Sequence, residues 1–234
     1  MATYVISDIH SHGDNLDRFL RDTGPEDKIY CLGDTIDKGK NGIQVLVRMM
    51  EDDKITFIMG NHELMMYLFL EAEKMINSRS LNLRVLNYYY NKRDHWQYYN
   101  YGLDTYNDYM KLPEEKREEI YRFLQTMPVQ LNVEVNGRKF LLVHSKPYGD
   151  YDKDVFFNEV EEDIDHYVWD RAKYCHVEGK IVITGHNVVS RIDTTGRIIE
   201  TDGQWYDIDC GLAANDANSR LAALKLDDLS VKYY

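Results

Sequence analysis

A chain of 234 residues that is 44% hydrophobic and 29% charged is long enough to bury a sizeable core and has the composition of an ordinary globular protein. Its net charge of −12 argues against nucleic acid as a partner, because phosphate backbones are held by an excess of lysine and arginine. It contains no apolar run of the roughly 20 residues that cross a membrane, and its three cysteines form no paired spacing. We therefore expect a protein of the reducing cytoplasm that binds neither membranes nor nucleic acid.

The first third of the sequence alternates between predicted strands and predicted helices. Short apolar runs followed by amphipathic stretches are typical of a sheet buried between helices. The predicted strands cover residues 3–7, 28–32 and 55–59, and the predicted helices cover Asp14–Asp22, Asn41–Met50 and Glu63 to about Ile76.

The middle of the sequence, residues 77–112, is polar and rich in tyrosine. The stretch NYYYNKRDHWQYYNYGLDTYNDY alone holds eight of the nineteen tyrosines. It has two interpretations: a substrate-facing cap whose rings stack on a base or pack against a peptide, or a structural insertion or homodimer surface. A helix is predicted next, from Pro113 to Met127. We expect one domain over residues 1–234, with about 77–127 as a cap-like insertion.

The remainder of the sequence returns mainly to strands. The pair Asn136-Gly137 is a strong hairpin signal, and it predicts a hairpin of two strands at 129–135 and 138–145. Residues 154–163 are predicted to be helical. Further short strands are predicted within 181–186, 196–201, 205–211, 220–226 and 229–234.

Five of the apolar runs end in a polar cluster, which is the most informative feature of the sequence. Taken singly, each has an ordinary explanation, because aspartate and asparagine cap helices or occupy turns and a lone histidine is often a core residue. Together they indicate a site, since ligand sites of open α/β sheets assemble at the carboxyl ends of the strands. Oxygen and nitrogen donors without a thiolate suit divalent metals and argue against a structural zinc site. The clusters are Asp8-Ile9-His10, Gly33-Asp34-Thr35-Ile36-Asp37-Lys38-Gly39, Gly60-Asn61-His62-Glu63, His144 and Gly185-His186.

This ordered set of motifs resembles that of the calcineurin-like metallophosphoesterases, and it is most similar to the PPP-type serine/threonine protein phosphatases of the bacterial and phage kind. The segment Val168-Trp169-Asp170-Arg171 resembles the arginine-bearing motif before the last histidine, and Asp207-Ile208-Asp209-Cys210-Gly211 resembles the family's Ile-Asp-x-Gly run. The resemblance covers residues 4 to about 213, apart from 77–127. It implies an α/β (α+β) fold with a β-sandwich of two mixed sheets flanked by helices.

The resemblance also implies a pair of divalent metal ions as cofactors, with manganese preferred to iron or zinc. Two such ions hold the phosphate oxygens and lower the pKa of a bridging water, whose hydroxide attacks phosphorus directly. The family's ligand positions fall on Asp8 and His10 for the first ion, on Asp34 as the bridge, and on Asn61, His144 and His186 for the second.

The remaining site residues implied by the resemblance handle the leaving group and the phosphate. His62 is the general acid, and Asp37 orients it and favours its protonated form, because a nearby carboxylate raises the pKa of a histidine. Arg171 is expected to bind phosphate through its planar fork, together with Asn61. Lys38 stands where the family usually has arginine, so it keeps the charge but loses the bidentate geometry.

Three functions are compatible with these motifs. The leading one is a phosphomonoesterase acting on phosphoserine or phosphothreonine in proteins and peptides, and on small aryl phosphates. The second is hydrolysis of dinucleoside polyphosphates such as diadenosine tetraphosphate, with the tyrosine-rich segment as the platform for a nucleobase. The third is an inactive scaffold that binds phosphorylated partners. The intact His62, Asp37 and ligand positions argue against the third.

Overall fold

The structure is a computed structural model that describes residues 1–78, 83–160, 163–189, 195–214 and 216–234. These residues form two β-sheets and seven α-helices, joined by short π and 3-10 segments. None of the helices in the described part of the chain combines the length and the apolar character that crossing a membrane would need.

The first sheet comes mainly from the alternating part of the sequence, and the predicted strands and helices there are confirmed. The strands Thr3–Ile6, Lys28–Cys31 and Ile55–Phe57 lie side by side and parallel in that order. On the other side of Thr3–Ile6, the strands Ala222–Lys225 and then Val231–Tyr233 continue the sheet with antiparallel pairing. The third helix begins at Asn61, where the carboxylate of Glu63 accepts a hydrogen bond from the backbone N–H group of Gly60 at 3.1 Å. The elements are β1 (Thr3–Ile6), α1 (Gly13–Arg21), β2 (Lys28–Cys31), α2 (Gly42–Met50), β3 (Ile55–Phe57), α3 (Asn61–Asn77), β10 (Ala222–Lys225) and β11 (Val231–Tyr233).

The second sheet contains the predicted hairpin and the later short strands. The strands are β4 (Pro128–Val135), β5 (Arg138–Val143), β6 (Val155–Phe156), β7 (Ile181–Thr184), β8 (Ile199–Thr201) and β9 (Trp205–Asp207). Their spatial order is β6-β4-β5-β7-β9-β8, in which β5, β7 and β9 are parallel and the other pairings are antiparallel. Both sheets are therefore mixed, as predicted.

Successive strand residues face opposite sides of each sheet, and this alternation builds the layers. Val5 of β1 shares a buried cluster with Leu142 of β5 and Ile183 of β7, so the two sheets pack face to face. The next residue, Ile6, belongs to the cluster that contains Phe19 of α1 on the opposite side of the first sheet. The predicted sandwich of two mixed sheets flanked by helices is therefore confirmed.

The tyrosine-rich segment is mostly helical, and aromatic rings fasten it to α3. The ring centroid of Phe69 lies 5.5 Å from that of Tyr89, 5.3 Å from that of Trp96 and 5.1 Å from that of Tyr106. Aromatic pairs at such distances contribute about 0.5–1.5 kcal/mol beyond their burial. The inner face of the segment is therefore packed on α3. Its elements are α4 (Leu83–Arg93), a π-helix (Asp94–Tyr99), α5 (Leu103–Met110) and, after it, α6 (Glu114–Gln125), and residues 79–82 lie outside the described residues.

The helix predicted over residues 154–163 is wrong. Val155–Phe156 is a strand that pairs with β4, and a 3-10 turn over Phe157–Glu159 follows it. Residues 161–162 lie outside the described residues, and helix α7 spans Ile164–Val168. The local pattern is overridden because the exposed edge of β4 offers backbone partners to this segment.

Candidate metal centre

The predicted polar clusters lie together, because the carboxyl ends of the parallel strands meet at one edge of the sandwich. Asp8 follows β1, Asp34 follows β2, and Asn61 opens the helix after β3. His144 and His186 follow β5 and β7 of the second sheet. All five are at most 6% exposed, so the structure brings the predicted ligand residues into one buried site.

The backbone at this edge is strained in a way that turns side chains inward. Asp8, Asp34 and His186 have φ angles of 53°, 53° and 66°, in the left-handed region that non-glycine residues rarely occupy. Such conformations cost on the order of 1–3 kcal/mol each and cluster at functional sites. The start of α3 also comes very close to the loop after β2, since a Cβ at Gly60 would overlap the Asp34 carboxylate. Only glycine permits that approach.

Asp34 lies at the middle of the site. Its Oδ2 atom is 3.5 Å from Nε2 of His10, and its Oδ1 atom is 3.5 Å from Nε2 of His144. Within the described residues, two groups of potential metal ligands share this carboxylate, and in each the ligand atoms lie within 4.8 Å of one another. The groups are His10, Asp34 and His62, and Asp34, His144 and His186.

The histidines present lone pairs to the site. Nδ1 of His10 lies 3.0 Å from the carbonyl oxygen of Ile36, and Nδ1 of His144 lies 2.7 Å from that of Leu32. A carbonyl oxygen accepts only from a donor, so each Nδ1 carries a hydrogen, and in the neutral ring each Nε2 is an acceptor. Nε2 of His144 in turn faces another acceptor, Oδ1 of Asn61, at 3.1 Å. A cation between these two atoms would satisfy both.

Two further observations fit a bound cation. Nε2 of His186 is buried and has no hydrogen-bond partner in the described part of the chain. Burial raises the pKa of Asp8 and Asp34 well above the usual value of aspartate, and it lowers the pKa of His10 well below its usual value. Burial also lowers the pKa of His186 to about 2, which keeps that ring neutral. Acceptor atoms that converge without matching donors are the electrostatic setting that a metal ion requires.

His62 and Asp37 form a buried pair beside this centre. Nδ1 of His62 lies 2.7 Å from Oδ2 of Asp37, and Nε2 of His62 faces Oδ2 of Asp34 at 3.9 Å. Burial raises the pKa of Asp37 to about 7, although hydrogen bonds from Thr105 and Trp96 oppose the shift. Burial, followed by the charge of Lys38, lowers the pKa of His62 well below its usual value. The direction is opposite to the predicted one, because burial and the charge of Lys38 both disfavour the protonated ring.

Two partners of Asp37 were missed by sequence reasoning. The indole Nε1 of Trp96 donates to Oδ2 of Asp37 at 2.8 Å, and the hydroxyl of Thr105 donates to Oδ1 at 2.5 Å. Both residues come from the tyrosine-rich segment. A tryptophan inside an otherwise polar stretch was the one available signal, but nothing local indicates which acceptor its N–H group meets.

Glu63 holds the loop after β2 against the start of α3. Its carboxylate accepts hydrogen bonds from the backbone N–H groups of Asp34 (2.8 Å), Thr35 (2.7 Å) and Gly60 (3.1 Å). Backbone donors that converge on a carboxylate fix both partners. The position of Asp34 therefore depends on Glu63.

Lys38 reaches the centre itself. Its Nζ atom lies 3.0 Å from Nε2 of His10, so the ammonium group contacts the lone pair that faces the site. Its backbone is left-handed, with φ at 56°. The lysine thus has its charged group next to the predicted first-ion ligand His10.

Arg171 lies beside the last histidine. Its guanidinium donates to the carbonyl oxygen of His186 at 3.3 Å and to Oδ1 of Asn187 at 3.4 Å. The adjacent Asp170 carboxylate is paired instead with Nδ1 of His166, at 3.0 Å. The arginine side chain remains exposed, and these weak contacts leave donors of its fork for another acceptor.

A cleft of about 650 Å³ begins at Lys38 and runs along the tyrosine-rich segment. The rings of Tyr98 and Tyr101 line it and are 57% and 68% exposed. Exposed aromatic rings beside lysines offer stacking surfaces together with positive charge. The other lining residues are Gly39, Lys40, Gln97, Leu103, Asp104 and Ala213.

Comparisons with known proteins agree with this architecture. Uncharacterized protein MJ0912 of Methanocaldococcus jannaschii is 23% identical over 205 residues, which are 86% of this chain and 69% of that protein. The structure of a candidate diadenosine tetraphosphatase matches with a TM-score of 0.60 at 14% identity, over 99% of this chain and 92% of the other. A serine/threonine phosphatase of Saccharomyces cerevisiae matches with a TM-score of 0.57 at 10% identity, over 100% and 79%. Both likenesses to solved structures concern the fold alone.

A family model described as calcineurin-like phosphoesterase matches residues 1–190, which is most of the chain. Proteins of this family are metal-dependent hydrolases of phosphate esters with a dinuclear metal centre. The two ligand groups that share Asp34 fit such a centre. The resemblance inferred from the ordered motifs is therefore confirmed: the chain belongs to the calcineurin-like phosphoesterases.

Proposed function

We propose that this chain is a phosphomonoesterase that acts on phosphoserine and phosphothreonine in proteins or peptides, and on aryl phosphates. The observation that supports it is the placement of His62, which is held by Asp37 at 2.7 Å and faces the carboxylate shared by both ligand groups. A proton donor next to a dinuclear centre is what an ester with a poor leaving group needs. The proposal includes a cytoplasmic location and one domain, in which about 77–127 is an insertion.

The proposed metal ligands form two sets, and Asp34 belongs to both. When bound, two divalent ions neutralise phosphate oxygens and lower the pKa of a water molecule. Manganese is the proposed ion, with iron or zinc as alternatives, because the donors are oxygen and nitrogen atoms without a thiolate. Asp8 and His10 would hold the first ion, Asn61, His144 and His186 the second, and Asp34 both.

His62 is proposed to supply the proton that the leaving oxygen takes up. Its Nδ1–H group stays with Asp37, which leaves Nε2 as the atom that faces the reaction site. In this role Nε2 takes up a proton when the anionic phosphate binds, because that charge opposes the burial that lowers the pKa of His62, and it gives the proton to the departing alkoxide. Asp37 holds the ring in one orientation throughout.

Arg171, Lys38 and Asn61 are proposed to bind the phosphate group. The arginine has an exposed planar fork beside His186, and the lysine brings a point charge next to His10. Asn61 contributes its amide at the start of α3, where the backbone N–H groups of the helix also favour an anion. Together these groups would orient the oxygens that the ions do not hold.

The tyrosine-lined cleft favours a second candidate, hydrolysis of a dinucleoside polyphosphate. Tyr98 and Tyr101 are exposed next to Lys38 and Lys40, so a base could stack there while its phosphates approach the centre. The intact site argues against the third candidate, a silent scaffold.

One comparison separates the two enzymatic candidates. Initial rates with a phosphoserine peptide and with diadenosine tetraphosphate are measured on the same protein loaded with Mn²⁺. We expect kcat/KM to be higher for the phosphopeptide. A clearly higher value for the dinucleotide would replace the first candidate with the second. Both enzymatic candidates would be excluded if the protein bound no metal and hydrolysed none of the three substrates, which are the phosphopeptide, the dinucleotide and para-nitrophenyl phosphate.

A further inference from the structure

The Asp37 carboxylate is bound by donors from three different elements. Oδ2 accepts from Nδ1 of His62 at 2.7 Å and from Nε1 of Trp96 at 2.8 Å, and Oδ1 accepts from the Thr105 hydroxyl at 2.5 Å. These four residues are at most 1% exposed. A carboxylate with fixed donors on both oxygens has a single orientation, so its hold on the His62 ring depends on all three.

We propose that Trp96 and Thr105 are positioning residues for the general acid, and that the tyrosine-rich segment thereby completes the site from behind. The inference rests on the proposed function, in which His62 protonates the leaving group. It gives the segment a role that neither a substrate cap nor a structural insertion includes: its inner face sets the orientation of Asp37, and through Asp37 that of His62.

The structure holds the Trp96 indole tightly in place. A π-helix carries it, and such wide turns recur at functional sites. Phe69 packs against one part of the ring at 5.3 Å, and a Cβ at Gly102 would overlap the indole. The next turn carries Thr105, whose hydroxyl meets the other oxygen of Asp37. The two donors therefore come from consecutive elements, the π-helix and α5, which both pack on Phe69 of α3.

Loss of the Thr105 hydroxyl would leave Oδ1 without its donor, and loss of the Trp96 indole would leave Oδ2 with His62 alone, so in each variant the carboxylate could turn. The proposed acid would then be displaced from the leaving oxygen, while the ligand residues keep their own contacts. The defect should depend on the substrate. An alkoxide needs a proton in order to leave, whereas a dinitrophenolate leaves without one.

The test measures kcat and KM with a phosphoserine peptide and with 2,4-dinitrophenyl phosphate. Thr105→Val removes the hydroxyl at nearly constant volume, and Thr105→Ser keeps it. For Thr105→Val we expect kcat to fall about tenfold with the peptide and less than about twofold with the dinitrophenyl ester, with KM little changed. Thr105→Ser should restore the peptide rate. Equal losses on both substrates, or no loss on either, would overturn the inference.

Trp96→Phe gives a second, independent variant. It removes the indole donor, and Trp205→Phe is its matched control, because that buried indole donates at 3.0 Å to Thr184 instead. We expect the substrate-dependent loss for Trp96→Phe alone. The same selectivity in Trp205→Phe would show a general effect of losing a buried indole and would contradict the inference.

Two measurements separate failure of the inference from failure of the proposed function. His62→Ala should itself show the substrate-dependent loss, and if it does not, the assignment of the acid is wrong together with everything that rests on it. The second uses nitrogen-15 NMR of the indole groups in metal-free protein, which needs no activity. Asp37→Asn should shift the Trp96 signal and leave that of Trp205 in place. An unmoved Trp96 signal would overturn the contact.

Discussion

The backbone N–H group of His186 donates a hydrogen bond of 3.1 Å to Oδ2 of Asp8, although the two residues are 178 positions apart. His186 follows β7 of the second sheet, and Asp8 follows β1 of the first sheet. Ser7 donates its hydroxyl to the same oxygen. Since these donors hold Oδ2, the other oxygen of Asp8 is left facing His10, with Oδ1 4.0 Å from Nε2. The contact sets the spacing of the proposed ligands across the two sheets.

This contact predicts a strong effect of Gly185→Ala. A Cβ at Gly185 would overlap the hydroxyl of Ser7 and the carboxylate of Asp8, so the two loops must separate. We expect the variant to bind at least one metal ion fewer per chain, measured by elemental analysis after loading with Mn²⁺. Gly24→Ala is the control, because its new Cβ would meet nothing closer than 3.6 Å. Full metal content in Gly185→Ala would contradict the prediction.

The shared position of Asp34 predicts that its removal empties both sites. Asp34→Ala deletes the carboxylate common to the two ligand groups, whereas His144→Ala removes a member of only one. We expect Asp34→Ala to retain no bound ion after dialysis and His144→Ala to retain about one. The matched control is Asp17→Ala, since that carboxylate is half-exposed, lies outside both ligand groups and is paired with Arg48 at 2.7 Å. Retention of an ion by Asp34→Ala would mean that one of the two ligand groups binds its ion without the Asp34 carboxylate.

The variant His62→Ala distinguishes a role of His62 as general acid from a role as metal ligand. Its Nε2 atom lies close enough to His10 and Asp34 to join a metal site, although the proposal makes it an acid. We expect His62→Ala to keep both ions while kcat for a phosphoserine peptide falls by about 10² to 10⁴. His176→Ala, on an exposed histidine, serves as control. An ion lost from His62→Ala would reassign the residue as a ligand.

Lys38→Arg tests whether this position binds phosphate. The lysine contacts His10 at 3.0 Å, and a guanidinium could reach the same region with two parallel donors. We expect KM for para-nitrophenyl phosphate to fall by about threefold, because bidentate contacts to phosphate are stronger than a point charge. Lys40→Arg, in the same cleft, is the comparison. Unchanged KM and kcat would make Lys38 a bystander.

Local signals were sufficient to predict most of the elements and the side chains that lie at the strand ends. Asp8, Asp34 and His186 each follow an apolar run, and their order along the chain carries the family resemblance. The parallel strands bring such positions to one edge, so a linear pattern predicts a spatial site. The strand at Val155–Phe156 was missed because pairing with β4 is a contact between distant segments, which no local pattern contains.

What the sequence by itself determined is therefore the layered fold, the family and the set of side chains that meet at the strand ends, since periodicity and motif order are properties of the chain. Only the tertiary structure decided which groups bind and orient these side chains. Trp96 and Thr105 bind Asp37 from 59 and 68 positions away, and the pKa of His62 is lowered because the ring is buried. Hydrogen-bond partners and burial depend on how the chain packs, and that is settled only when distant segments come together.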